Sequence, residues 1–145
     1  MSRRSLAALP LAATAMLALG APMPLHAQTG ARTELGGRCQ YSDGVARFRQ
    51  ETTLIVCDTA SIERNAASAT FDFRQRSWGS MAQFSGPMEG DSMAVARVTL
   101  RDGRSVAATG TCEIFHRGDG QISAISCLAR AGSRSVAANF VPSRL

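Results

Sequence analysis

The chain has 145 residues, of which 45% are hydrophobic, with a formal charge of +5. That length fits one domain, and no apolar run beyond the first residues is long enough for a membrane-spanning helix. All sixteen basic side chains are arginine, and one Trp and one Tyr are too few for a stacking platform, so nucleic acid is not an expected partner.

Residues 1–27 read as a cleaved signal peptide. Arg3 and Arg4 form a basic start, Leu6 to Leu19 an Ala/Leu-rich core, and Leu25-His26-Ala27 a small-residue end that leaves Gln28 as the mature start. Ser2-Arg3-Arg4-Ser5-Leu6 is only a partial twin-arginine signal, so the ordinary secretory route is the expectation. No cysteine directly follows the apolar core, which argues against a lipoprotein anchor. The expected location is periplasmic or secreted. About 118 residues then remain, able to bury roughly two-thirds of their unfolded surface.

Residues 28–36 lack periodicity and are expected to be flexible, with a single β domain over residues 37–145. Gly37 to Tyr41 opens the first strand, Asp43-Gly44 offers a two-residue type I′ turn, and Val45 to Arg49 returns from it. Thr53 to Cys57 is β-branched and apolar, the pattern of a central strand. Residues 58–67 are the one stretch whose composition allows a helix, with Asp58 or Ser61 as its cap. From Ala69 to Gln75 the chain alternates, placing Ala69, Phe71 and Phe73 on a core face and Thr70, Asp72 and Arg74 on a solvated one. Ser77-Trp78-Gly79 turns into a strand from Ser80 to Phe84, and Ser85 to Asp91 reads as a loop. The next strand puts Ala94, Ala96, Val98 and Leu100 on one side. Asp102-Gly103 and Asp119-Gly120 make two more hairpins, and a last strand lies near Val136 to Phe140.

A two-residue loop at Asp119-Gly120 sets Gly118 against Gln121, His116 against Ser123, Ile114 against Ile125 and Cys112 against Cys127. Opposed Cα atoms in an antiparallel pair lie about 4.5–5.5 Å apart, within disulfide range. Cys112–Cys127 is therefore the expected bridge, and Cys39–Cys57 the remaining one. No Cys-x₂-Cys pair supports a zinc site instead. The whole gives eight to nine strands joined by short turns. This is an all-β antiparallel meander, closed as a small barrel or split into a two-layer sandwich, with the barrel preferred.

Few residues point to chemistry. His116 is the single histidine after the signal, and a catalytic role needs an orienting carboxylate. Glu113 falls on the opposite strand face, while Asp119 lies in the adjacent turn. There is no Gly-x-Ser-x-Gly elbow, phosphate-binding loop or His-Glu-x-x-His motif. No residue argues for a cofactor or a metal, and an enzyme is not the expectation. In the two-residue registers, Arg38 faces Arg49 and Arg101 faces Arg104. Like charges opposed across a ladder cost roughly 0.2–1 kcal/mol, which marks these four arginines as candidates for gripping an anionic partner. Trp78 reads as a core or barrel-end plug. The expected function is an exported binding or interaction module of the cell envelope, acting on an anionic component or a protein. The alternatives are an accessory subunit of an envelope complex and, third, an enzyme with a site near His116.

Overall fold

A computed structural model describes residues 30–144. The expected signal peptide, its cleavage point and Gln28 lie outside the described residues. Nine strands occupy most of the remainder: β1 (Ala31–Cys39), β2 (Thr52–Leu54), β3 (Thr59–Arg64), β4 (Ser68–Gln75), β5 (Gly79–Glu89), β6 (Ser92–Leu100), β7 (Ser105–His116), β8 (Ile122–Ala131) and β9 (Arg134–Pro142), with one short helix, α1 (Asp43–Ala46).

Eight strands follow one another round a closed antiparallel barrel, β1-β3-β4-β5-β6-β7-β8-β9, shut where β1 pairs with β9. Closing a meander on itself is one solution to the exposed-edge problem that a long sheet otherwise poses. β2 is the extra strand. It runs parallel to β9 at Ser135–Ala137, while β1 takes the other half of β9 at Phe140–Pro142. One rim of the barrel carries the β4–β5, β6–β7 and β8–β9 turns together with residues 40–58, and is called the loop rim below. Gly30, Arg144 and the β3–β4, β5–β6 and β7–β8 turns share the other, the terminal rim.

The interior is packed rather than hollow. Phe71, Phe73, Phe84, Phe140 and Met93 have at most 1% of their surface exposed, and Phe73 meets Phe84 edge to face at 5.7 Å. Each such side chain stabilises by roughly 1.5–3 kcal/mol of burial. Both disulfides, Cys39–Cys57 and Cys112–Cys127, are formed, and their four sulfurs lie at or beside this core. Two bridges fit an oxidising compartment outside the cytosol.

Several local expectations are corrected. No non-glycine residue among the described ones has positive φ, whereas Gly103 and Gly120 do (83° and 82°). A type I′ loop would force both aspartates into that region. Each loop instead holds three residues, a tight turn closed by the left-handed glycine. The aspartate side chain then accepts from the backbone N–H two residues on, Arg104 to Asp102 at 3.0 Å and Gln121 to Asp119 at 2.9 Å. Thus His116 faces Ile122, not Ser123; Ser123 bulges out, and Ile114–Ile125 and Cys112–Cys127 fall back into the expected register.

Asp43-Gly44 makes no hairpin. It begins α1, and β1 pairs with β9 instead of with residues 45–49. β1 starts at Ala31, so residues 31–36 are a strand on β3 and not a loose arm. Residues 58–67 are not helical. Ala60 and Ile62 point into the barrel from β3, which ladders on both sides and so overrides the local preference.

Of the run Thr53 to Cys57 only Thr53 and Leu54 are strand, and they belong to the short edge strand β2 rather than to a central one. β5 continues through Gly86 and Pro87 to Glu89, accommodating the proline at a bulge between Ser85 and Met88. A second irregularity, between Val95 and Arg97, shifts the parity of β6. Met93, Val95 and Val98 face inward, and Ala94 and Ala96 are exposed.

Asp72, expected on a solvated face, is buried and accepts from Ser80 Oγ (2.6 Å) and Arg74 Nη1 (3.1 Å). Trp78 is no plug, being 60% exposed.

Candidate functional site, an apolar mouth at the loop rim

Residues 40–58 leave the barrel wall after β1 and come back at β3. The base of this excursion is fastened by the Cys39–Cys57 bridge and by Cys39 N–H to Cys57 C=O at 2.9 Å. Tyr41 fixes its middle. The phenol hydroxyl lies 2.6 Å from the Ile55 carbonyl and 2.9 Å from that of Ala137, joining the excursion to β9. Burial of the ring, partly offset by backbone hydrogen bonds, pushes the hydroxyl pKa up to about 12. Held in this way, the apolar run that resembled a core strand becomes a rim strand.

β2 and its continuation form one wall of an open groove of about 450 Å³, through Thr53, Leu54, Ile55 and Val56. Met81, Leu100, Arg101 and Asp102 form the other. Met81 reaches the groove from a bulge: Phe73 pairs with Ala82 and Arg74 with Ser80, leaving Met81 between them without a partner. Arg101 lies over the Trp78 ring, its guanidinium carbon 4.3 Å from the centroid. Such a stack holds the cation in place while its edge donors stay open. Val56 and Trp78 are 62% and 60% exposed, and Phe48, just before β2, is equally bare.

The charges of the mouth are unequal. Asp102 is matched by Arg104, Nε to Oδ2 at 2.6 Å. Its carboxyl is held below the usual aspartate value, chiefly by the Arg104 backbone N–H and also by the guanidinium. Among the described residues Arg101 makes no ion pair. The groove therefore offers apolar walls and one uncompensated, positioned cation.

The four arginines singled out in the sequence do not form opposed pairs. Arg38 faces Val141 across β1 and β9, and Arg49 sits in the turn after α1. Arg101 is inside its three-residue loop, and Arg104 binds Asp102. The like-charge argument rested on two-residue turns and falls with them. Only Arg101 belongs to the groove.

His116 lies at the terminal rim with Nδ1 3.3 Å from Asp91 Oδ2. Asp91 also meets Arg64 at 3.4 Å, and Arg64 donates to the Gly90 carbonyl at 3.0 Å. The orienting carboxylate thus comes from the β5–β6 turn and not from Asp119. No local pattern could have indicated it, since the β6–β7 ladder alone brings Asp91 beside β7. His116 is exposed, and the three groups pin neighbouring turns together.

A larger cleft, about 720 Å³, also opens at this rim between Leu35, Arg117, Gln121, Ile122, Pro142 and Arg144. It abuts the end of the described chain, so the self-contained site is the mouth at the loop rim. Among the described residues no set of three His, Cys, Asp or Glu side chains could hold a metal, and no helix is long and apolar enough to cross a membrane. Compared with protein-family models, curated proteins and solved structures, the chain matches none.

Proposed function

We propose that this protein is an exported binding module of the cell envelope, and that its loop rim holds a partner carrying an apolar group next to a negative charge. The observation that carries the reading is the mouth itself. A packed barrel presents an open apolar groove, bare Val56 and Trp78 side chains, and an arginine with no carboxylate of its own. Scattered exposed apolar residues are ordinary on a soluble protein, but several grouped around one concave, charged feature mark an interaction site.

A photo-crosslinking side chain at Val56, compared with one at Asp119 on the terminal rim, tests this in cell-envelope extract. The expected result is one discrete adduct from position 56, weakened by raised salt and by Arg101→Glu, and none from position 119. Adducts from both positions, or from position 119 alone, would refute it. An adduct from position 56 that co-purifies at fixed stoichiometry and resists salt would instead make the protein an accessory subunit, fixed through Phe48, Val56 and Trp78.

A further inference from the structure

We infer that the partner engages the mouth as an extended peptide, adding a strand to the open edge of β2; this rests on the loop rim being the binding surface. The hydrogen-bond pattern of β2 carries the argument. Ser135 N–H donates to Glu51 C=O at 3.1 Å and Ile55 N–H to Ala137 C=O at 2.9 Å, with Thr53 paired between them in the parallel register. Alternate residues of a parallel strand serve opposite neighbours. The odd-numbered residues thus serve β9, and the N–H and C=O of Leu54 point the other way.

β2 is the last strand in the sheet order, with no neighbour on that side. Among the described residues its outer edge is unpaired along the whole strand, whereas β1 is covered by β9 only at Gly37–Cys39. The groove runs beside the same residues, Thr53 to Val56, so a strand placed on this edge puts alternate side chains against Met81 and Leu100. The next charge such a strand meets is Arg101.

The chemistry selects the occupant. A free backbone donor and acceptor call for another backbone, the apolar walls for a Val, Ile or Leu side chain, and Arg101 for a Glu or Asp carboxylate. A second copy of the chain fits badly, because two-fold pairing of β2 with β2 brings the two Arg101 mouths together. The described chain begins and ends on the opposite rim, at Gly30 and Arg144, away from the groove.

The probe is a pool of synthetic linear octapeptides with Thr at even positions and, at odd ones, Val, Ile or Leu with a Glu at one end of the row, so that the carboxylate shares the groove-facing side. It is added to the ¹⁵N-labelled protein with its disulfides intact. Strand addition predicts that the Leu54 amide resonance moves downfield and its hydrogen exchange slows. The Trp78 indole resonance should move as well. Arg101→Gln should weaken binding about tenfold or more, the loss of a charge-assisted hydrogen bond. N-methylating alternate peptide amides should abolish binding, and this arm needs no change to the protein. Leu54→Pro, which deletes an N–H that β9 does not use, should act in the same way.

Equal binding of N-methylated peptides, with Trp78 and Met81 moving but the Leu54 amide still, would overturn strand addition and leave the loop-rim reading standing. Movement of terminal-rim residues alone would overturn both. No binding by any peptide, or a Leu54 shift that tracks protein concentration without peptide, would also rule strand addition out, the latter in favour of a second copy.

Discussion

Replacing Tyr41 with phenylalanine removes one hydroxyl and nothing else, and its effect can be worked through in two ranges of pH. At neutral pH the hydroxyl is the short donor to the Ile55 carbonyl and lies close to that of Ala137. One such bond contributes about 1 kcal/mol net, so Tyr41→Phe should lose about 1 kcal/mol of unfolding free energy. In alkali the wild type should weaken as well. The folded phenol titrates at about 12 against an ordinary value of 10.0, because burial disfavours the phenolate.

A raised folded pKa means that the unfolded chain releases its proton first. The stabilisation is complete below pH 10 and disappears as the pH climbs from 10 to 12. Each pKa unit corresponds to about 1.4 kcal/mol, an upper value of roughly 2.7 kcal/mol, which the partly open surroundings of the ring reduce to roughly 1–2 kcal/mol. The measurement is unusually clean. The chain has a single tyrosine and no lysine, and its four cysteines are bridged. Urea unfolding across that pH range, with tyrosinate absorbance recorded in parallel, should show a falling wild type and a Phe variant that starts lower but stays flat. Parallel slopes for the two proteins, or a native tyrosinate midpoint near 10, would refute the reasoning.

Cys112→Ala combined with Cys127→Ala opens a bridge spanning a sequence separation of 15 and should lower unfolding free energy by about 3 kcal/mol, read from the urea midpoint. A loss below about 1 kcal/mol would mean that the unfolded hairpin is already compact. Phe84→Ala empties a fully buried site edge-on to Phe73 and should cost about 3–5 kcal/mol in thermal unfolding; near-neutrality would show that the barrel refills the space. The carboxyl of Asp102 should titrate below its ordinary value by NMR, and Arg104→Ala should restore only part of the difference, because the backbone N–H at residue 104 remains. Full recovery would show that the side chain, not the backbone, holds it down.

Residues 69–73 and the cysteine hairpin were legible in the sequence because each is a local pattern: strict alternation in one, and equal spacing from a turn in the other. Even there the register came out right through two departures that cancel, a three-residue loop and the Ser123 bulge. Features set by distant partners were not legible. Gly86-Pro87 has the composition of a turn, yet Gly86 lies where a Cβ would collide with the Ala94 carbonyl, so its small size serves close packing of β5 on β6. The parity change in β6 turns odd-numbered Met93 and Val95 and even-numbered Val98 inward together, which no fixed period of two can represent.

The candidate site was half legible. Arg101 drew notice for an opposed pair that it does not make, and Trp78 as a plug that it is not. Their groove forms only when residues 53–56 are tied beside 81 and 100–102 by barrel closure, a relation absent from any local stretch.

β9 has a position unlike that of any other strand: it lines β8 along most of its length, seals β1 with its last residues and gives β2 its only support. A polypeptide halted at Gly132 would hold seven of the eight staves and no means of drawing the first and last together. It would leave the outer edges of β1 and β8 unpaired and β2 without a ladder. Damage near β9 should therefore appear as precipitation rather than as weakened recognition, because closure of the barrel waits on Arg134–Pro142.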